Sequence, residues 1–315
     1  MKSFSMLLEE ILRRRHDVGF SGQLLALVQH SLGLLGPHLT SYRLGSIGDV
    51  LVIPKDSAEA RRELGCHSAA ILPVFASEAV GAGAIHALLV EVLPFLPPTG
   101  SLLGIVFSHE ELCRKTLELL RLLPPSLLGF QPCQPLDFQS EDIVDKLLLC
   151  GLLESEEPEG QRWGCDLEDE PHWKRRIWDS LGFDSDSGSE GAVVRKRCFK
   201  LSEPEAFPGF LPFLWRLLRP VLRTLGRAVA FLERPCWPQH ETAYVEALLQ
   251  FLAEEDSFDP PTMSLALSSL QTFKEMGVLE EERTPTGPLL HLAQPFHSST
   301  RRKELEASIL QFSQL

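Results

Sequence analysis

The 315-residue sequence contains no asparagine. It therefore carries no N-glycosylation sequon, which fits a chain that is not secreted. Its seven cysteines, an odd number, exclude a complete set of intrachain disulfides, and no two lie closer than fifteen residues. With no C-x-x-C and no Cys/His cluster at zinc spacing, they read as reduced, mostly buried thiols, and no metal is expected. Positive charge is also scarce: 30 Lys and Arg against 43 Asp and Glu leave a net charge of −13. A nucleic-acid binder neutralises phosphates with a basic surface, so no nucleic-acid partner is expected. Long uninterrupted apolar runs are missing too. Residues 18–42 are uncharged but broken by Gln23, Gln29, His30 and several Gly and Ser, and residues 69–96 contain Glu78, His86 and Glu91. Such breaks belong to buried core helices rather than membrane spans, so any membrane contact is expected to be peripheral. No signal peptide is read at the N-terminus. Arg13–Arg15 hint at a mitochondrial presequence, but Glu9 and Glu10 weigh against it.

Several catalytic signatures are absent as well: G-x-S-x-G, H-E-x-x-H and the phosphate-cradling G-x-x-x-x-G-K-[ST]. Gly81, Ala82, Gly83 and Ala84 resemble a dinucleotide loop only faintly, because the third glycine and the preceding strand are missing; no cofactor is expected. The cluster reads instead as a place where helices approach closely. His16–Asp17 sits at the joint between two helices, which gives no positioned His-to-carboxylate contact for a general base. A base pair with four residues between His and Asp occurs nowhere. His86 has Glu91 at that spacing, but with 43 acids in 315 residues about one such coincidence among ten histidines arises by chance. On a helix the two side chains stand about 140° apart. The later "EGQR" (159–162) falls in an acidic stretch. No catalytic residue is expected in this chain.

What is present is helical periodicity. Phe4, Leu7, Leu8, Ile11 and Leu12 make one amphipathic stripe, and a second helix runs to about Leu35 before Gly36–Pro37. "YRLGSIGDVLVIP" reads as a hairpin over about 41–54. "HSAAILPVFASEAVGAGAIHALLVEVL" is the most buried helical region. Ser108 and Ser140 are the expected caps of two further helices. "LLLCGLLE" (147–154) and "FKEMGVLE" (273–280) echo each other: each ends a helix with Gly, two aliphatics and Glu before a polar loop that leads to an apolar run, "CFKL" or "PLLHL". This is a winged-helix-like element that in an acidic protein is more often a packing module than a DNA reader. The expected architecture is mainly α, a multi-helix region in two lobes with small β-hairpin and wing elements: lobe 1 over 1–153, an acidic, partly disordered linker over 154–198, and lobe 2 over 199–315. Ser185, Ser187 and Ser189 lie in acidic surroundings where phosphorylation would add charge. Arg216, Arg219, Arg223 and Arg227 fall within about 80° on a helical wheel. They are expected either to pair with the acidic linker or to sit on anionic lipid headgroups or a phosphate. Pro220 puts the continuity of that helix in question.

The stretches "LLEEILRRRHDVGFSGQ", "HSAAILPVFASEAVGA", "HEELCRKTLELLRLLPP" with its following "QPC", "DKLLLCGLL", "LPFLWRLLRPVL" and "FKEMGVLEEERTPTGPLLHL" together resemble the C-terminal region of the mitochondrial-type glycerol-3-phosphate acyltransferases. The resemblance runs over nearly the whole chain, and no single piece is a signature motif. It implies transfer of an acyl group from acyl-CoA, a family substrate, to the 1-hydroxyl of glycerol 3-phosphate at the outer mitochondrial membrane, the first step of glycerolipid synthesis. It also implies that the catalytic His–four–Asp domain precedes the region represented here, that this chain alone is inactive, that Met1 corresponds to an internal methionine, and that the partner is that acyltransferase domain. The alternative is a stand-alone helical module, without enzymatic activity, that contacts a membrane surface or a protein.

Overall fold

A computed structural model describes residues 7–9, 11, 22–44, 49–95, 105–124, 134–156, 197–204, 209–254, 262–285 and 287–313. The described residues are mainly α with three small antiparallel sheets. Helix α1 (Leu24–Leu35) ends where Gly36–Pro37 opens a 3-10 turn. A hairpin follows, β1 (Leu39–Leu44) against β2 (Asp49–Pro54), with Tyr42 opposite Leu51. Helix α2 (Ala58–Ala69) is capped by Ser57, whose Oγ accepts from the Ala60 amide at 3.1 Å.

The described elements between residues 76 and 292 form the same unit twice, and one further α-helix follows them. In the first, α3 (Ala76–Val92), β3 (Val106–Ser108), α4 (His109–Leu120), α5 (Leu136–Leu149), β4 (Leu153–Glu156) and β5 (Cys198–Leu201) follow one another, with strand order β3-β5-β4. The second runs α6 (Phe210–Phe231), β6 (Gln239–His240), α7 (Glu241–Ala253), α8 (Met263–Glu275), β7 (Leu279–Thr284) and β8 (Gly287–Leu292), with order β6-β8-β7. Helix, strand, two helices and a two-stranded wing is winged-helix topology. The turns into the two wings use Gly151 at φ +77° and Gly277 at φ +67°, a left-handed conformation that β-carbons disfavour. The echo read in the sequence is thus real. Its third strand was not read, because β3 and β6 span only three and two residues.

Two expectations are corrected. Strand β5 pairs with both β3 and β4, so the stretch between β4 and β5 joins two strands of one sheet, and the boundary drawn at 198 falls inside the first unit. Ser140 does not cap α5: the helix begins at Leu136, and the Ser140 hydroxyl donates to the Asp137 carbonyl at 2.7 Å from within it. Asp137 and Pro135 supplied the real start signals, which the later serine masked. Ser108 does cap α4, accepting from the Glu111 amide at 3.2 Å.

Helix α6 runs unbroken through Pro220. The proline removes one hydrogen bond to Arg216 and costs about 3 kcal/mol. Burial of Phe210, Leu214, Trp215, Leu218, Val221, Leu222 and Leu225 on the same helix stabilises it by about 1.5–3 kcal/mol per large side chain, so packing wins. The helix also joins two apolar clusters. Its first turns pack with Phe75, Ile85, Leu147 and Phe199, and the rest with Ala79, Leu119, Leu270 and Phe273. Helix α9 (Ser299–Ser313) lays Leu305, Ile309 and Phe312 into the second cluster.

Helix α3 is buried from Ala76 to Leu89, and the Gly-Ala cluster explains how. A β-carbon on Gly81 would stand 2.7 Å from Leu147 Cδ1 and 2.9 Å from Ile143 Cγ2, whereas one on Gly83 would crowd only the far methyl of Leu119. Alanine gains about 1 kcal/mol of helix propensity at either position, while overpacking costs about 1–3 kcal/mol. Gly81→Ala is therefore expected to lower stability by up to about 2 kcal/mol and Gly83→Ala to leave it within about 0.5 kcal/mol, measured by urea unfolding. Equal effects would contradict this packing.

Candidate functional site

Three groupings of potentially reactive side chains occur among the described residues, and each is occupied by structural work. The first is at the junction of the two units. The His86 imidazole lies flat on the Trp215 indole, ring centroids 4.1 Å apart and planes inclined by 14°. His86 is buried, and its Nδ1 has no hydrogen-bond partner. Burial lowers its pKa below 6.5, so the ring is neutral at pH 7. Glu91 does not orient it. Its carboxylate takes the ammonium of Lys115 at 2.6 Å, and Lys115 also donates to Gln311 of α9 at 2.9 Å. The His86/Glu91 coincidence is therefore split between a stack and an ion pair, and no carboxylate-oriented base results. The EGQR segment lies outside the described residues.

The second grouping was not read from the sequence. His109 and Cys113 stand one turn apart on α4, with Sγ 3.6 Å from Nε2. Cysteine beside histidine suggests a nucleophile, but a nucleophile needs a thiolate. Burial first, and the Glu141 carboxylate second, push the Cys113 thiol up to about 11. An ordinary thiol near pKa 8.5 holds several hundred times more thiolate at neutral pH. Iodoacetamide is therefore expected to modify Cys113 at least about 100-fold more slowly than an ordinary exposed thiol at pH 7.4, followed by peptide mass spectrometry. Equal rates would restore the nucleophile reading.

The third is the arginine stripe. Arg216 and Arg219 are exposed, whereas Arg223 and Arg227 are half-buried. Arg227 closes the C-terminal end of α7, donating to the carbonyls of Leu252 at 2.8 Å and Phe251 at 3.0 Å, with its guanidinium 4.9 Å from the Phe251 ring centre. A cation there complements the helix dipole. The Arg216 guanidinium lies 5.7 Å from the centre of the Trp215 ring. The four residues share a helix, as their spacing implied, but only the first two are exposed and the other two are half-buried. Ser185, Ser187 and Ser189 lie outside the described residues, as does His16–Asp17. Among the described residues no three His, Cys, Asp or Glu side chains come together as metal ligands. No helix there is long and apolar enough to cross a membrane.

Lys115 is a further residue that sequence inspection missed. It is 3% exposed, and it ties α3, α4 and α9 together. A lysine inside an amphipathic helix carries no local mark of burial, and its partners lie 24 and 196 residues away.

The described residues thus define a tandem winged-helix-like body that packs helices and holds its polar groups in structural contacts. The relatives place it more closely. The chain is similar to the mitochondrial glycerol-3-phosphate acyltransferases, as the sequence segments indicated. It is 42% identical to glycerol-3-phosphate acyltransferase 2, mitochondrial, of Homo sapiens over 98% of this chain and 39% of that protein. The identity and both coverages are the same for the Rattus norvegicus protein of that name. Against glycerol-3-phosphate acyltransferase 1, mitochondrial, of Sus scrofa it is 27% identical over 99% of this chain and 38% of that protein. The chain therefore spans about two-fifths of the length of these relatives. No family model matches it.

Proposed function

We propose that this chain acts as an accessory, non-catalytic part of an acyl-CoA:glycerol-3-phosphate 1-O-acyltransferase, supporting a His–four–Asp acyltransferase domain that makes lysophosphatidate. The observation that carries the reading is the 42% identity across 98% of the chain to a relative of which it spans 39%. The chemistry of the chain agrees. None of its ten histidines has an aspartate five positions on, His86 is buried against Trp215, and Cys113 is held as a thiol. The names of the relatives support a mitochondrial setting, and the outer membrane with the chain facing the cytosol and attached peripherally is the location we propose within it. The exposed pair Arg216 and Arg219 suits a peripheral contact with anionic headgroups, about 1 kcal/mol per basic residue.

The test is an acyl-transfer assay on the purified chain with palmitoyl-CoA and glycerol 3-phosphate, reading free CoA thiol. No release above the buffer rate is expected. Release that His86→Ala abolishes would overturn the accessory reading in favour of autonomous catalysis. Flotation with phosphatidylserine vesicles checks the membrane contact: Arg216→Glu with Arg219→Glu is expected to abolish it, and unchanged flotation removes that part.

A further inference from the structure

Among the described residues, exposed large apolar side chains gather in the N-terminal module. Helix α1 is LLALVQHSLGLL, twelve residues without a charge, yet none of its described side chains is buried. Leu25 and Leu32, seven residues apart, share one stripe, and Leu34, 66% exposed, stands on the opposite side. A β-carbon placed on Gly33 or Gly36 would meet no atom within 4 Å. Leu27, Val28 and Leu35 are partly covered, so the helix is covered over part of its surface and leaves Leu25, Leu32 and Leu34 to solvent. The hairpin beyond the 3-10 turn also exposes apolar side chains on one face. Tyr42 and Leu51 are cross-strand partners and Ile53 continues their face, and all three are exposed, Tyr42 by 52%. An isolated two-stranded sheet is marginal in water and gains most from a third layer. Exposed apolar side chains gathered on a helix and a neighbouring sheet point to an interaction site.

We infer that α1 and the β1–β2 hairpin are the surface on which the acyltransferase portion of the longer polypeptide docks. This rests on the accessory role proposed above. Two observations select that occupant. The match to the relatives covers 98% of this chain, so the module lies in the shared region, and more than half of the relatives' length lies outside the match. The chemistry of the surface also discriminates. Helices that lie in a lipid interface carry Lys and Arg on their polar face, and α1 has neither. Its exposed leucines and the adjoining Tyr42, Leu51 and Ile53 ask for a dry, apolar protein surface.

The experiment places a photo-crosslinking benzoylphenylalanine at Leu32 or Leu51 of the full chain, with a third probe at Phe138 on α5 as a remote control. Each variant is co-expressed with the portion of human glycerol-3-phosphate acyltransferase 2 outside the match, and the crosslinked peptides are sequenced. Crosslinks from Leu32 and Leu51, and not Phe138, into that portion are expected. Leu32→Glu with Leu51→Glu is expected to weaken its co-purification at least about 30-fold, the scale of one interfacial hot spot, with an unchanged circular dichroism melt because both side chains are exposed. Crosslinks to a second copy, to lipid or to residues 1–21 of the same chain overturn the inference. If the portion co-purifies but crosslinks only from Phe138, the docking surface is wrong and the accessory role stands. If it does not associate at all, both fail.

Discussion

Removal of α9 by a stop after Ser298 is expected to lower the unfolding free energy by about 5–8 kcal/mol, the transfer value for exposing three large apolar side chains. Those side chains are Leu305, Ile309 and Phe312, all buried in the cluster that α6 and α8 share. The polar ties go with them. Gln311 holds the buried Lys115, whose ammonium also sits 5.7 Å from the Phe312 ring centre, and Arg302 reaches Glu233 at 2.8 Å. Single domains hold only about 5–15 kcal/mol in all, so the truncated chain stands at the edge of unfolding at 37 °C. Phe312→Ala in the full chain separates burial from general loss. It is expected to cost about 3 kcal/mol, the lower end for a buried phenylalanine, because the residue lies in the last turn of its helix. Urea midpoints at constant slope measure both. A truncated chain that melts like the full one would show that α9 is an appendage rather than a strap.

Trp215→Ala is expected to cost about 3–5 kcal/mol. The indole does two things at once. It fills the first cluster beside Phe210 and Leu214, and it covers the imidazole of His86 from the other unit's first helix. Stacked rings add about 0.5–1.5 kcal/mol beyond the area they bury, so a double-mutant cycle with His86→Ala is expected to show a coupling of that size. The pH dependence has a definite sign. His86 is harder to protonate folded than unfolded, so below about pH 6.5, the ordinary histidine value, the unfolded chain takes up the proton first. Stability contributed by the neutral ring is complete above that value and declines as pH falls toward the lowered folded-state pKa. In His86→Phe that part of the acid slope disappears. Parallel slopes for the two proteins would show that His86 is not buried neutral.

Much of this architecture is readable from periodicity and caps. The hairpin, the helix end at Gly36–Pro37, the Ser108 cap and the two Gly turns into wings each follow from a local physical rule that tertiary packing reinforced. The Gly-Ala cluster of α3 was legible for a similar reason, since small residues in an apolar helix have little use except close approach. What was not legible depends on distance along the chain. The apolar run "CFKL" is legible as the far side of a wing, but the acidic stretch before it places a lobe boundary there, and only the pairing of β5 with β3 and β4 assigns it to the first unit. The unbroken α6 depends on packing that outweighs Pro220. Arg227 looked like its three companions until α7 ended beside it. Lys115 looked exposed until α9 closed over it. The reactive groups failed similarly: Cys113 and His109 are neighbours only on a helix face, and what holds the thiol protonated is burial by packing, with the Glu141 carboxylate of α5 adding to it.

The accessory role is tested most directly by reconstitution. In a cell without other glycerol-3-phosphate acyltransferase activity, the portion of human glycerol-3-phosphate acyltransferase 2 outside the match is expressed with and without this chain, and lysophosphatidate formation is measured from labelled glycerol 3-phosphate. At least a tenfold higher rate with the chain present is expected, with Leu32→Glu and Leu51→Glu losing most of the gain. The same rate with and without the chain would contradict the account.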